Sequence, residues 1–255
     1  IGINAAKNWK WGQTFNETNF DTSSFPVIKQ KIEGLTLSAT SFISVSVASN
    51  GKENILIGKN KEMIRPIASI TKLMTAVIAS EQYRSNDVIT ISKKTLSEKG
   101  LTGIYHAGDS FLFSDALNAL LIASHNEMAN SFAEQADKVK FINLMNKKAT
   151  DLGLINTNYV NPTGLDPDIG SDNINHSTVF DLYKLARYIK ENRPDIFSIT
   201  TKKEFSLYNT QNDFIGLVKK TDLLLDATDL PFNIIGGKTG ETPRAKQNLL
   251  TKYIQ

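Results

Sequence analysis

Apolar and polar residues first alternate between positions 43 and 47, where Ile43, Val45 and Val47 are separated by Ser44 and Ser46. A period of two predicts a strand with one apolar face. Asn50-Gly51 then supplies the residue pair that a two-residue hairpin turn favours, and Ile55-Leu56-Ile57 supplies the returning strand. After Pro66 the period changes. Ile70, Leu73, Met74, Val77 and Ile78 follow i, i+3, i+4, i+7 and i+8, which predicts a helix over 68–82 with one apolar face. Further helices are predicted over 115–122 with Ser114 as N-cap, from near Asn126, and through Val139, Ile142 and Met145. Another is predicted over 178–190, capped by Ser177 and ending before Pro194. Asn161-Pro162-Thr163-Gly164-Leu165-Asp166-Pro167 is a turn-rich segment between the last two. Beyond 199 the pattern is strand-like, and Ile234-Ile235-Gly236-Gly237 leads into Lys238. Strands at both ends with helices between predict an α+β domain whose terminal strands share one sheet. The first 35 residues are polar and carry Trp9, Trp11, Phe15, Phe20 and Phe25 without a period, so they read as an extension or linker to a domain over 36–255.

Composition narrows the chemistry. At 255 residues, with 40% hydrophobic and 22% charged, the chain is an ordinary globular sequence and not a disordered or collagen-like one. Its net charge of +3 comes without a basic run, so no nucleic-acid partner is expected. Cys is absent, which excludes disulfides, thiolate metal sites and cysteine nucleophiles. His106, His125 and His176 lack paired helical spacing, and no metal is expected. No apolar stretch reaches the roughly 18 residues of a membrane span. The chain opens at Ile1 without a signal-peptide pattern and reads as processed or trimmed.

Three short motifs carry candidate chemistry. In Ser69-Ile70-Thr71-Lys72 the Ser and Lys stand one helical turn apart on the same side, so the amine can reach the hydroxyl. Apolar neighbours would lower the Lys72 pKa and make a neutral amine available as base, which activates Ser69 without a histidine. A Ser-x-x-Lys match arises by chance about once or twice in such a chain; Ser49-Asn50-Gly51-Lys52 is such a match, and it straddles the hairpin turn. Ser124-His125-Asn126 lies at a break between helical patterns, where it either presents a hydroxyl and an amide to a groove or simply caps a helix. Ser171-Asp172-Asn173 matches the same pattern in a Gly- and Asp-rich loop and reads as turn chemistry. Lys238-Thr239-Gly240 follows a Gly-rich strand edge; it either receives a carboxylate or is a turn with a solvated lysine.

Taken together in order and spacing, the three motifs form the signature of active-serine, penicillin-recognising enzymes. The sequence resembles the D-alanyl-D-alanine carboxypeptidase family of low-molecular-mass penicillin-binding proteins over about 36–250. Arg65-Pro66-Ile67-Ala68-Ser69-Ile70-Thr71-Lys72-Leu73-Met74-Thr75-Ala76 is similar to that family's nucleophile segment. Gly108-Asp109 with the helix into Ser124-His125-Asn126, Asn161-Pro162-Thr163-Gly164-Leu165-Asp166, and Gly237-Lys238-Thr239-Gly240 leading to Thr242-Pro243 resemble its later segments.

The resemblance implies a five-stranded antiparallel sheet flanked by helices, with a helical lobe between the outer strands. It implies acyl transfer on the terminal D-Ala-D-Ala of peptidoglycan stem peptides, with Ser69 as nucleophile and Lys72 as its base. Ser124 would relay the proton to the leaving nitrogen, and Asn126 would hold Lys72 and the substrate amide. Lys238 and Thr239 would bind the terminal carboxylate, and the backbone N–H groups of Ser69 and Glu241, next to Gly240, would form the oxyanion hole. No cofactor is implied. β-Lactam antibiotics would acylate Ser69 as covalent inhibitors. The reaction would lie outside the bacterial cytoplasmic membrane, with any membrane anchor outside this chain. Two departures stand out. His125 occupies a position where the family commonly has a small residue, and it is expected to face outward. Asn248 to Gln255 supply at most one short strand, so the C-terminal side of the sheet is expected to be incomplete. A serine β-lactamase shares the motifs, but Glu127, Glu134, Glu191 and Glu204 lie in no loop resembling that family's Glu-bearing one. The same motifs also fit a D,D-endopeptidase, or a catalytically silent homologue that only binds the cell wall.

Overall fold

A computed structural model of the chain describes residues 38–168 and 170–254, and the polar extension read over 1–35 lies outside them. The described residues form two compact units that divide between Lys61 and Glu62. The first is a hairpin where one was expected, β1 (Phe42–Val47) and β2 (Glu53–Lys59), antiparallel with a bulge at Ser44/Val45, but joined through residues 48–52 and not by the two-residue turn expected at Asn50-Gly51. Its turn carries Gly51 at φ 81°, which glycine adopts without strain, and Asn50 Oδ1 accepts from Lys52 N at 2.9 Å. Ser49 therefore belongs to a turn.

The second unit opens with β3 (Arg65–Pro66), a 3-10 turn (Ala68–Ile70) and α1 (Thr71–Gln82). β4 (Val88–Thr90) and β5 (Ser110–Leu112) lead to α2 (Phe113–Ile122), α3 (Asn126–Gln135) and α4 (Lys138–Asp151). β6 (His176–Ser177), α5 (Val179–Asn192) and α6 (Pro194–Thr200) follow. The chain ends in β7 (Glu204–Tyr208), β8 (Phe214–Lys219), β9 (Asn233–Thr242) and β10 (Lys246–Ile254).

The α+β class is as expected. Among the described residues the strands pair as five two-stranded antiparallel ladders, β1–β2, β3–β6, β4–β5, β7–β8 and β9–β10, where the resemblance implied one five-stranded sheet. Three of these are hairpins of chain-adjacent strands, each with its register set by its own turn and one bulge. β10 is longer than the short strand expected, with nine residues paired along β9.

Helix α1 is buried from Thr71 to Ala79 on every side, where the sequence pattern suggests one apolar face. Its apolar stripe packs against α2, α3, α4 and α6. The opposite side carries Thr71 and Thr75, whose hydroxyls meet the turn-rich loop. Thr75 Oγ1 donates to Pro162 O at 2.6 Å, and Thr71 Oγ1 accepts from Asn175 Nδ2 at 2.9 Å. The structure departs from the local signals at three places. α2 begins at Phe113 after Leu112, with no side-chain cap from Ser114. Thr178, not Ser177, caps α5 by accepting from Asp181 N at 3.0 Å. Pro194 ends one helix and also opens α6, because its missing N–H costs nothing in a first turn.

Candidate active site

The nucleophile turn is held in a strained shape. Ala68 has φ 46°, left-handed for a residue with a β-carbon, at a cost of roughly 1–3 kcal/mol. Gly164 of the Asn161-Pro162-Thr163-Gly164 loop packs directly on it: a Cβ there would stand 1.9 Å from Ala68 O. The loop is tied down by Asn161 Oδ1, which accepts from Thr163 N and Gly164 N at 3.1 and 2.7 Å.

Lys72 lies at the centre, fully buried. Its Nζ is 2.8 Å from Ser69 Oγ, 2.8 Å from Asn126 Oδ1 and 2.7 Å from Thr163 O. Asn126 is oriented by its other end, since Nδ2 donates to Gly100 O at 2.6 Å. Burial first, and then the positive charge of Lys238, hold the Lys72 pKa well below the ordinary lysine value, against the opposing pull of the Glu127 carboxylate.

Ser124 sits between α2 and α3 with φ 63°, a second strained non-glycine residue. Its hydroxyl is buried and has no hydrogen-bond partner among the described residues. The expectation for His125 is overturned: the side chain is 7% exposed and faces inward, with Nδ1 2.6 Å from Tyr105 Oη. The Tyr105 ring packs edge-on against the imidazole, with centroids 5.6 Å apart. Burial lowers its pKa to about 4, so it is neutral at physiological pH.

Strand β9 brings the third motif. Gly240 lies against the nucleophile turn, where a Cβ would stand 2.9 Å from Ser69 N and 3.1 Å from Ile67 O. Lys238 is 2% exposed, donates to Thr239 O at 3.0 Å, and is pushed down to about 7 by burial, with Asp222 opposing. It is a buried lysine and not a solvated turn lysine. Thr239 Oγ1 is 2.6 Å from Thr221 Oγ1, and Glu241 follows Gly240 with an exposed side chain. Asp166 accepts from Thr242 Oγ1 at 2.8 Å and from Arg244 N at 3.0 Å, which joins the turn-rich loop to the β9–β10 turn.

Hydrogen bonds and packing thus bring Ser69, Lys72, Asn126 and Gly240 together, with Ser124 beside Asn126 and Lys238, Thr239 and Glu241 flanking Gly240 on β9. The decoy Ser171 does not join them; its hydroxyl accepts from Asn173 N at 3.2 Å in an exposed turn. Sequence reasoning missed Thr163 O, Tyr105 and the role of Glu127. Only Thr163 had a signal, as part of the Asn-Pro-Thr-Gly segment.

A serine beside a buried lysine, a second serine–asparagine turn and a lysine-bearing strand thus make up one cluster. The chain belongs to the D-alanyl-D-alanine carboxypeptidase family, whose pattern it matches over residues 28–254. It is 31% identical over 215 residues to a D-alanyl-D-alanine endopeptidase of Pseudomonas aeruginosa, covering 82% of this chain and 66% of that protein. A D-alanyl-D-alanine carboxypeptidase from Mycobacterium tuberculosis superposes with a TM-score of 0.72 at 27% identity, over 85% of this chain and 78% of that one. A penicillin-binding protein from Listeria monocytogenes in its ampicillin-bound form gives 0.72 at 26% identity, over 87% and 86%. The chain spans about half to two thirds of the length of the curated relatives it matches.

Proposed function

We propose that this protein is a serine-type D-Ala-D-Ala carboxypeptidase that trims peptidoglycan stem peptides through an acyl-enzyme on Ser69. The observation that carries this is the set of partners around Lys72. Asn126 Oδ1 and Thr163 O can only accept hydrogen bonds, so a neutral amine gives them its two N–H groups and turns its lone pair to the Ser69 hydroxyl.

In the proposed reaction Ser69 Oγ attacks the penultimate D-Ala carbonyl while its proton passes to Lys72 Nζ. The oxyanion is held by the N–H groups of Ser69 and Glu241, and Lys238 and Thr239 bind the terminal carboxylate. The C–N bond then breaks as the proton passes from Lys72 through Ser124 to the leaving D-Ala nitrogen, with Asn126 holding Lys72 and the substrate amide. Water, deprotonated by the same lysine, hydrolyses the ester and regenerates Ser69. A penicillin would enter the same path through its lactam carbonyl and act as a covalent inhibitor. The reading takes 36–255 as the catalytic domain and residues 1–35 as a linker. It places the reaction outside the cytoplasmic membrane, where peptidoglycan lies. No helix among the described residues is long and apolar enough to cross a membrane.

Release of free D-Ala from a stem pentapeptide tests the proposal: the wild type is expected to release it and Ser69→Ala is not. A wild type that leaves the pentapeptide intact contradicts it. The name of the Pseudomonas relative favours a second reading, a D,D-endopeptidase using the same residues. A cross-linked stem-peptide dimer offered beside the pentapeptide separates the two by which is cleaved faster.

A further inference from the structure

Three consecutive residues after Ser124 are each held by one short segment, 100–105. His125 Nδ1 lies 2.6 Å from the Tyr105 hydroxyl, Asn126 Nδ2 donates to Gly100 O at 2.6 Å, and Thr102 Oγ1 donates to Glu127 Oε1 at 2.7 Å. The first tether is the most enclosed, with Tyr105 5% and His125 7% exposed. Tyr105 is itself wedged edge-on against Phe111, with ring centroids 5.5 Å apart. A phenol that has lost contact with water keeps its proton, and burial raises the Tyr105 pKa far above the usual range. With the phenol protonated and the imidazole neutral, one hydrogen joins Oη and Nδ1, donated by the phenol or by the ring nitrogen according to the imidazole tautomer. Lys72 and Glu127 are the charges that bear on this imidazole, with opposite effect, and burial outweighs both.

Ser124 stands immediately before His125 in a left-handed conformation that a residue with a β-carbon leaves unless its surroundings hold it. We infer that Tyr105 and His125 are positioning residues: their buried hydrogen bond and edge-on packing pin the backbone after Ser124 and so aim its unpartnered hydroxyl at the proton path. The inference rests on the carboxypeptidase reading, in which Ser124 carries the proton to the leaving nitrogen. Among the described residues neither Tyr105 nor His125 hydrogen-bonds to Ser69, Lys72 or the Ser124 hydroxyl.

The test is steady-state D-Ala release by Tyr105→Phe, His125→Leu, His125→Asn and the double variant Tyr105→Phe/His125→Leu, with thermal unfolding recorded for each. Tyr105→Phe and His125→Leu are expected to lower kcat about ten- to a hundredfold, the scale of a slight misplacement of a reacting group, with KM unchanged because the β9 carboxylate site is untouched. His125→Asn puts a polar amide atom where Nδ1 stood, oxygen or nitrogen as the bond to Tyr105 requires, and is expected to recover most of kcat. The double variant is expected to lose no more than the worse single one, since both partners of one bond are gone. An unchanged kcat in Tyr105→Phe, a loss confined to KM, or an Asn variant no better than the Leu variant overturns the inference. Where His125→Leu does not fold, Tyr105→Phe against His125→Asn decides it alone. A wild type that neither releases D-Ala nor is acylated by benzylpenicillin strikes at the functional reading instead, and a wild type that is active with Tyr105→Phe equally active strikes only at the positioning role.

Discussion

Among the described residues Lys72 has three neighbours within hydrogen-bonding distance, and of these only Ser69 can give it a proton. Its reactivity therefore depends on its being neutral, which burial favours first and two charges of opposite effect then adjust. As a base it works above its own pKa, so the rate of acylation is expected to fall as pH drops through that depressed value. Lys238 lowers the Lys72 pKa and Glu127 raises it. Lys238→Gln is therefore expected to move the acid limb of the benzylpenicillin acylation profile to higher pH, and Glu127→Gln to move it to lower pH. Shifts in the reverse directions, or none, contradict this electrostatic account. Lys238 carries a limb of its own. With a pKa near 7 in the free protein it loses its charge as pH rises, so kcat/KM for the pentapeptide is expected to decline above about pH 7. A substrate whose C-terminal carboxylate is amidated is expected to show a low kcat/KM and no such decline.

At the scale of elements, the site is made by a loop and a strand packing on the 3-10 turn that leads into α1 so closely that only glycine fits at either contact. Gly164→Ala would drive a methyl group into Ala68 O, 1.9 Å away, at a residue with φ 85°. The expected result is a lowered Tm together with loss of Ser69 acylation. Gly153→Ala is the control: φ is 66° but nothing stands within 4 Å, so it carries backbone strain alone, a loss of about 1–3 kcal/mol without loss of acylation. Equal acylation rates in the two variants would contradict the claim that the loop shapes the nucleophile turn. Much of this scale is legible in the sequence. The period of the apolar residues locates α1 and α2 to within a few residues, and Asn50-Gly51 locates the β1–β2 turn. α6 is not legible, because Pro194 reads equally as a stop and as a first-turn residue. Nor is the complete burial of α1, because periodicity reports apolar side chains, and its polar side is buried by hydrogen bonds from a loop some ninety residues away.

For the whole molecule, the site is more legible than the architecture. Ser69 and Lys72 are neighbours through local helical geometry, and the second and third motifs use residue types with few other reasons to stand in that order. What the sequence does not disclose is supplied by backbone or by distant pairing. Thr163 contributes a carbonyl that any residue would have, Tyr105 and His125 are twenty residues apart, and the left-handed turns at Ala68 and Ser124 occur at residues that do not ordinarily favour them. The two-stranded ladders are hidden for a similar reason, since alternation shows that a strand exists without naming its partner. All of these features bear on one claim, that Ser69 is an acylating nucleophile activated by Lys72. The direct measurement is intact-protein mass spectrometry after incubation with benzylpenicillin, for the wild type beside Ser69→Ala and Lys72→Ala. The account predicts one long-lived adduct on the wild type, none on Ser69→Ala, and adduct formation slowed by about a hundredfold or more in Lys72→Ala. Turnover of the drug without a persistent adduct would point to a β-lactamase, and a wild type that stays at its own mass would contradict the claim.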